Sequence, residues 1–131
     1  MTSRTHHFQI QVYYEDTDHS GVVYHANYLK YFERAREGVI GPEALVTLWK
    51  QKGLGFAVYK ADINYLDGAE FGDTLDIVST VRKDSEYRLI WHQEAWRPNS
   101  PKPAVKAEIH LVCLDRDKQL KPLPDVGITY D

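Results

Sequence analysis

The chain is poor in several things that would have narrowed its role at once. It has a single cysteine, Cys113, so no intramolecular disulfide can form, which fits a reducing compartment. It has no apolar run near the roughly 18 residues that a membrane span requires. The opening MTSRTHHFQIQ lacks the apolar core of a secretory leader, so a cytoplasmic protein with no membrane span is expected. Basic blocks are missing as well. Sixteen Lys and Arg are scattered among 19 Asp and Glu, for a net charge of −3. That distribution argues against nucleic acid as a partner, while leaving local positive charge free to meet a phosphorylated small molecule. No repeat, linker or low-complexity stretch interrupts the chain.

What is present is globular. Apolar residues make up 43% and charged residues 27% of the 131 residues, which excludes disorder and suits one core over residues 1–131. Nine tyrosines dominate the aromatics and suit a sheet surface, an interface, or a pocket with wet and dry ends.

Hydropathy patterning gives the order of elements. FQIQVYY (8–14) alternates as a half-buried strand, with Phe8, Ile10, Val12 and Tyr14 in phase. From about Tyr24 the period becomes helical, with Tyr28, Phe32, Ala35 and Val39 on one face and Glu33, Arg34, Arg36 and Glu37 between them. Pro42 suits the first turn of a shorter helix, PEALVTLWKQK, which Gly53 can end. Strand patterns follow. The first, VYKADINYL, carries Tyr59, Ala61, Ile63 and Tyr65 on one face. TLDIVSTVRK, YRLIWHQEAW, AVKAEIHLVCL and a short QLKPL come next, separated by turn-rich breaks. Short loops favour antiparallel neighbours, and there are too few helices to cover a parallel sheet on both faces. The expectation is an α+β fold, a long helix lying against one curved strand meander.

The segment YYEDTDHSGVVYHANYLKYFERAR (13–36) crowds Glu15, Asp16, Asp18, His19 and His25 just before the long helix. Four readings compete. The charges can be a solvated turn, since Asp and Ser are common near helix starts. They can be metal ligands, although no spacing matches a zinc or EF-hand pattern. The D-x-D-x-S fragment resembles aspartyl-phosphate chemistry, but the alternating strand before it and the lack of βαβ repeats do not suit that fold. Finally, a strand end, a turn through Gly21 and a helix start can together form a reaction site. The first helical turn leaves unpaired N–H groups and a partial positive charge, which polarise a carbonyl. A carboxylate at Asp18 would then act as general base or nucleophile on an acyl carbon.

The same segment resembles the signature of the hotdog-fold acyl-CoA thioesterases, nearest to the YbgC-like, Tol–Pal-associated branch, related to 4-hydroxybenzoyl-CoA thioesterase. The residues that carry the resemblance are Tyr14, Asp16, Thr17, Asp18, Gly21, Val22, Val23, Tyr24, His25 and Tyr28. It implies a hotdog fold, with an antiparallel sheet wrapped around one long helix. It implies dimers joined sheet edge to sheet edge, often paired again as a homotetramer, with active sites at subunit interfaces. It implies an acyl-CoA substrate, or an acyl group delivered by an acyl carrier protein, and no metal or cofactor. It places Asp18 in the catalytic carboxylate position and the His25 amide in the carbonyl-polarising position, with the His25 side chain as a second catalytic group. His19 and Ser20 fall at variable positions. Tyr24 and Tyr28 are candidates for substrate contact, and Tyr28, Tyr31 and Phe32 serve equally as core. Coenzyme A carries phosphates, so Arg82, Lys83 and Arg88, which flank one hairpin, are candidate contacts as well as ordinary surface charges. ERAR (33–36) reads first as a solvated face. Cys113 reads as a small buried hydrophobe. A non-catalytic alternative stands beside the enzyme: a hotdog module that holds an acyl carrier protein or a lipid-synthesis enzyme.

Overall fold

The computed structural model describes residues 4–131; the part of the leader reading that rests on residues 1–3 lies outside them. Six strands and two helices follow one another as β1 (His6–Gln11), α1 (Asn27–Ile40), α2 (Pro42–Thr47), β2 (Gly55–Tyr65), β3 (Thr74–Lys83), β4 (Arg88–Trp96), β5 (Val105–Leu114) and β6 (Leu120–Lys121). A 3₁₀ turn at Tyr14–Asp16 precedes α1, and a wide π turn at Leu48–Lys52 extends α2 up to Gly53. Among the described residues no helix is long and apolar enough to cross a membrane.

All strand pairs are antiparallel, in the order β1-β3-β4-β5-β2, with β6 beside the end of β5. This is not the simple meander expected from loop length. Only β3, β4 and β5 run consecutively; β2 pairs with β5 and lies at the far edge from β1. Residues 66–73 therefore cross from one side of the sheet to the other. Three strand spacings are about 14 Å, well within the reach of eight extended residues, so a short loop does not force adjacent pairing.

The sheet has one apolar face. Leu75, Ile77 and Val81 of β3, Leu89, Trp91 and Ala95 of β4, and Val105, Ala107, Ile109, Leu111 and Cys113 of β5 point the same way and are buried. Against them α1 lays Tyr28, Tyr31, Phe32 and Ala35, the 3.6-period stripe of its sequence. Full burial of each large side chain contributes about 1.5–3 kcal/mol, which fixes the helix on the sheet.

Three details depart from the sequence pattern. Strand β1 stops at Gln11, and Tyr14, read as in phase, is 79% exposed in the 3₁₀ turn. In β2 the pairing with β5 shifts between Val58 and Lys60. That bulge takes Tyr59 out of phase with Ala61, Ile63 and Tyr65 and brings its hydroxyl to His110 Nδ1 (3.3 Å) and Arg88 Nη1 (3.1 Å) on the opposite face. Arg36, read as part of a solvated face, is only 7% exposed. Its Nη1 donates to Gln93 Oε1 at 2.9 Å, and Gln93 Nε2 donates to the Phe32 carbonyl and to Ser79 Oγ, each at 3.0 Å. This polar chain ties α1 to β3 and β4 inside an otherwise apolar layer.

Candidate active site

The residues between β1 and α1 fold as a small hairpin. Thr17 and Val23 pair antiparallel, the Asp18 amide donates to the Val22 carbonyl (2.8 Å) and the Gly21 amide donates back to the Asp18 carbonyl (3.1 Å). Gly21 holds φ at 86°, a conformation that suits glycine and closes the turn. The hairpin leans on the β2–β3 connection: Val22 bridges to Glu70, and the Val23 amide donates to the Ala69 carbonyl at 2.8 Å. Arg97 at the end of β4 clamps that connection through Asp73 (2.8 Å), Asp67 (3.3 Å) and Glu70 (3.8 Å).

Asp16 organises the turn, as its position suggested. Its Oδ2 accepts the Tyr13 amide at 2.8 Å. Its main-chain carbonyl accepts both the Tyr24 amide and Asn27 Nδ2, each at 2.9 Å. The start of α1 is thus tied to the residue two positions before Asp18. The Tyr24 carbonyl accepts the Asn27 amide at 2.9 Å and so points along the helix; the His25 N–H of the same peptide plane points the other way, out of the helix opening. Among the described residues the His25 and Ala26 amides donate to no protein oxygen. These are the orphan donors of a helix start.

Tyr65 of β2 completes the opening. Its hydroxyl donates to the His25 carbonyl at 2.9 Å, and its ring meets the His25 imidazole edge-on at 6.1 Å between centroids. The Tyr24 ring also meets that imidazole, tilted, at 4.5 Å between centroids. Tyr24 and His25 are exposed, whereas Tyr28 is buried against Tyr31 and Tyr65. Burial is the main force raising the Tyr28 and Tyr31 hydroxyls above their ordinary pKa, so both stay protonated.

Asp18 is half-exposed on the hairpin. Its Oδ1 accepts the Ser20 hydroxyl at 2.6 Å and the Ser20 amide at 2.8 Å. The Ser20 hydroxyl, then the Ser20 amide, then neighbouring His19 and the Val22 amide hold its carboxyl below the ordinary value of 3.8, against a smaller desolvation effect. Ser20 is the hydrogen-bonding neighbour of Asp18, at a position the family pattern leaves variable. The signal was present as an Asp-x-Ser spacing, which places a hydroxyl two residues after a carboxylate.

Arg82 and Arg88 lie elsewhere in the chain. Both sit at the β3–β4 hairpin end, about 30 Å along β3 from the loop that supports the Asp18 hairpin. Arg88 is paired with Asp84 and bonded to Tyr59, and Arg82 lies 3.9 Å from Glu108. The fold joins Asp18 to Ser20 and gathers Tyr24, His25 and Tyr65 at the helix opening, the two groups linked through the hairpin backbone, and leaves these two arginines apart. Among the described residues no group of three or more His, Cys, Asp or Glu is placed to hold a metal ion.

A curved antiparallel sheet around one long helix, with a carboxylate hairpin tied to the helix opening, defines a hotdog fold of the thioesterase kind. Comparison with known proteins agrees. The family model described as the thioesterase-like superfamily matches residues 12–127, and the chain belongs to that family as a YbgC-like hotdog thioesterase. The chain is 35% identical over 118 residues to the acyl-CoA thioesterase YbgC of Haemophilus influenzae, covering 88% of this chain and 85% of that protein. A probable thioesterase from Bartonella henselae superposes with a TM-score of 0.84 at 30% identity, over 92% of this chain and 99% of the other. A 1,4-dihydroxy-2-naphthoyl-CoA thioesterase from Synechocystis gives a TM-score of 0.83 at 28% identity, over 92% and 90%.

Proposed function

We propose that this chain hydrolyses an acyl-CoA thioester with Asp18 as general base or nucleophile and the helix opening at His25 as the carbonyl-polarising group. The coarse activity, hydrolysis of acyl-CoA thioesters, is that of its YbgC relatives. The observation that supports the residue assignment is the double acceptance at the Asp16 carbonyl, which ties the outward-pointing His25 amide to the hairpin that bears Asp18.

The chemistry asks little more. The thioester oxygen accepts the His25 N–H, and the partial charge of the helix start stabilises the oxyanion as it forms. The Asp18 carboxylate removes a proton from water as that water adds to the acyl carbon. Collapse of the adduct breaks the C–S bond, and the proton held by Asp18 goes to the leaving sulfur. In the nucleophilic variant the carboxylate oxygen adds directly, the thiolate leaves, and water then cleaves the acyl–Asp18 anhydride. Both variants need an ionised Asp18, which its hydrogen bonds favour. The His25 ring, in contact with those of Tyr24 and Tyr65, supplies a second polar group beside the same amide, and Tyr24 offers an exposed ring to the substrate.

A second copy of the chain completes the site by pairing along β2. That strand is eleven residues long and forms an edge of the sheet. Its helix-side residues Val58 and Tyr65 are 46% and 47% exposed, apolar surface that a partner's helix would cover.

The test is Asp18→Asn, which keeps the shape of the side chain and its acceptance from Ser20. We expect kcat/KM on a panel of acyl-CoAs to fall by about 10²–10⁴-fold. A fall of less than about threefold, under roughly 0.7 kcal/mol of transition-state energy, rejects the assignment.

A further inference from the structure

We propose that the Ser20 hydroxyl is a positioning residue for this reaction: by holding Oδ1 of Asp18 it leaves Oδ2 as the single oxygen that meets water or the acyl carbon. The inference rests on the assignment of Asp18 made above and deepens it.

The two oxygens of a free carboxylate are equivalent, and the group turns easily about its last side-chain bond. Here two donors converge on one of them. The Ser20 Oγ–Oδ1 separation is 2.6 Å and the Ser20 N–Oδ1 separation is 2.8 Å. Among the described residues no side chain hydrogen bonds Oδ2. Any residue but proline at position 20 would supply the amide donor, whereas a second donor of this reach requires a hydroxyl, Ser or Thr. A pair of donors from one residue fixes both the direction and the tilt of the carboxylate, which a lone amide does not. The O–H···O⁻ contact is in the short range of charge-assisted bonds and stabilises the ionised form.

The arrangement has a chemical consequence. Ser20 lowers the basicity of Asp18, a carboxyl that is ionised at neutral pH with or without this bond, and fixes which of its oxygens faces the acyl carbon. The other charged groups about the carboxylate are few. His19 lies on the same hairpin and adds a smaller pull in the same direction. Glu70 lies on the supporting connection opposite Val22, and its carboxylate turns to Arg97 at 3.8 Å. Neither is hydrogen bonded to Asp18, so the hydroxyl of Ser20 is the side chain that sets its orientation.

The experiment compares wild type, Ser20→Ala, Ser20→Thr and Asp18→Asn in steady-state hydrolysis of one short-chain and one aromatic acyl-CoA, each across a range of pH. Position 20 is exposed in a hairpin held by backbone bonds, so the variants keep the fold. In Ser20→Ala we expect kcat to fall roughly tenfold with KM changed less than about twofold, since orientation rather than binding is lost. We also expect the acid limb of kcat/KM to move to higher pH, because a bond to the charged form of the free enzyme is gone. Ser20→Thr, which keeps the hydroxyl, should restore both. Wild-type kcat and an unmoved acid limb in Ser20→Ala, with Asp18→Asn inactive, overturn the role of Ser20 while the role of Asp18 stands. Activity of Asp18→Asn within about threefold of wild type overturns both.

Discussion

Replacing Gln93 by Leu should be among the most damaging single changes in this chain, although the residue is far from the hairpin in sequence. Gln93 is fully buried and uses both ends of its amide: Oε1 accepts Arg36 Nη1 at 2.9 Å, and Nε2 donates to the Phe32 carbonyl and Ser79 Oγ at 3.0 Å each. Leucine fills a similar volume, so a cavity is not the issue. The loss is electrostatic. Arg36 is 7% exposed, and among the described residues no carboxylate lies within ion-pair distance of it. Burial already lowers its guanidinium pKa to about 10 despite the opposing pull of Glu33. A hydrogen bond to a charged group is worth about 1.5–3 kcal/mol, and stranding the buried charge brings the expected cost to about 3–5 kcal/mol. For a chain of this length that lowers the melting temperature by roughly 10 °C or more. Urea and thermal unfolding of Gln93→Leu, Arg36→Met and the double variant measure it. The double variant removes both the charge and its partner, so it should recover to within about 1–2 kcal/mol of wild type. A cost below about 1 kcal/mol for Gln93→Leu, or a double variant no more stable than Gln93→Leu, refutes the reasoning.

Other expectations follow from the same geometry. A Cβ at Gly68 would lie 2.7 Å from Val22 Cγ1, so Gly68→Ala should displace the Asp18 hairpin and lower kcat/KM by at least about tenfold, with partial rescue by Val22→Ala in the same chain. Tyr65→Phe removes the hydroxyl that holds the His25 carbonyl at 2.9 Å; kcat should fall roughly tenfold with little change in melting temperature, as paired kinetics and calorimetry would show. Asp67 is held below its ordinary value of 3.8 first by the Gly68 amide and then by Arg97. The unfolded chain therefore takes up that proton first, and the stabilisation is present above pH 3.8 and lost as pH falls toward the folded value. The stability difference between wild type and Asp67→Asn, followed by denaturant unfolding, should be present at neutral pH and shrink in that acid range.

The sequence made the long helix, the four long strands and the Asp18–His25 segment legible because each carries a local signal. Tyr28, Phe32 and Ala35 repeat at helical spacing, and Val105 to Cys113 alternate cleanly, so each element announces its buried face. The departures all depend on partners distant in the chain. Tyr59 belongs to the outer face only because β5 forces a bulge at Val58–Lys60. Arg36 is buried only because Gln93, 57 residues later, meets it in the core. Strand β2 pairs with β5, and residues 66–73 are long enough to carry the chain back across to β3, a pairing that no run of local hydropathy records. Ser20 is a different case: the family pattern leaves its position variable, while the capacity of a serine two places after an aspartate to donate to that carboxylate is a matter of elementary chemistry.

The site's economy explains why so few side chains carry it. In the proposed reaction the polarising group is backbone: one amide of the helix start, aimed by the tie from Asp16 to Tyr24 and Asn27 on one side and by Tyr65 on the other. The proposed reacting group is one carboxylate in a hairpin whose own main-chain bonds set its place. The hairpin leans on the 66–73 connection, which Arg97 staples to β4, and Val23 and Ala69 seat both segments in the apolar core. A conservative change at Tyr65 should alter kcat at little cost in stability, whereas a change deep in the core, at Gln93, should alter stability first. A broad set of variants in which the two effects rise and fall together would contradict that separation.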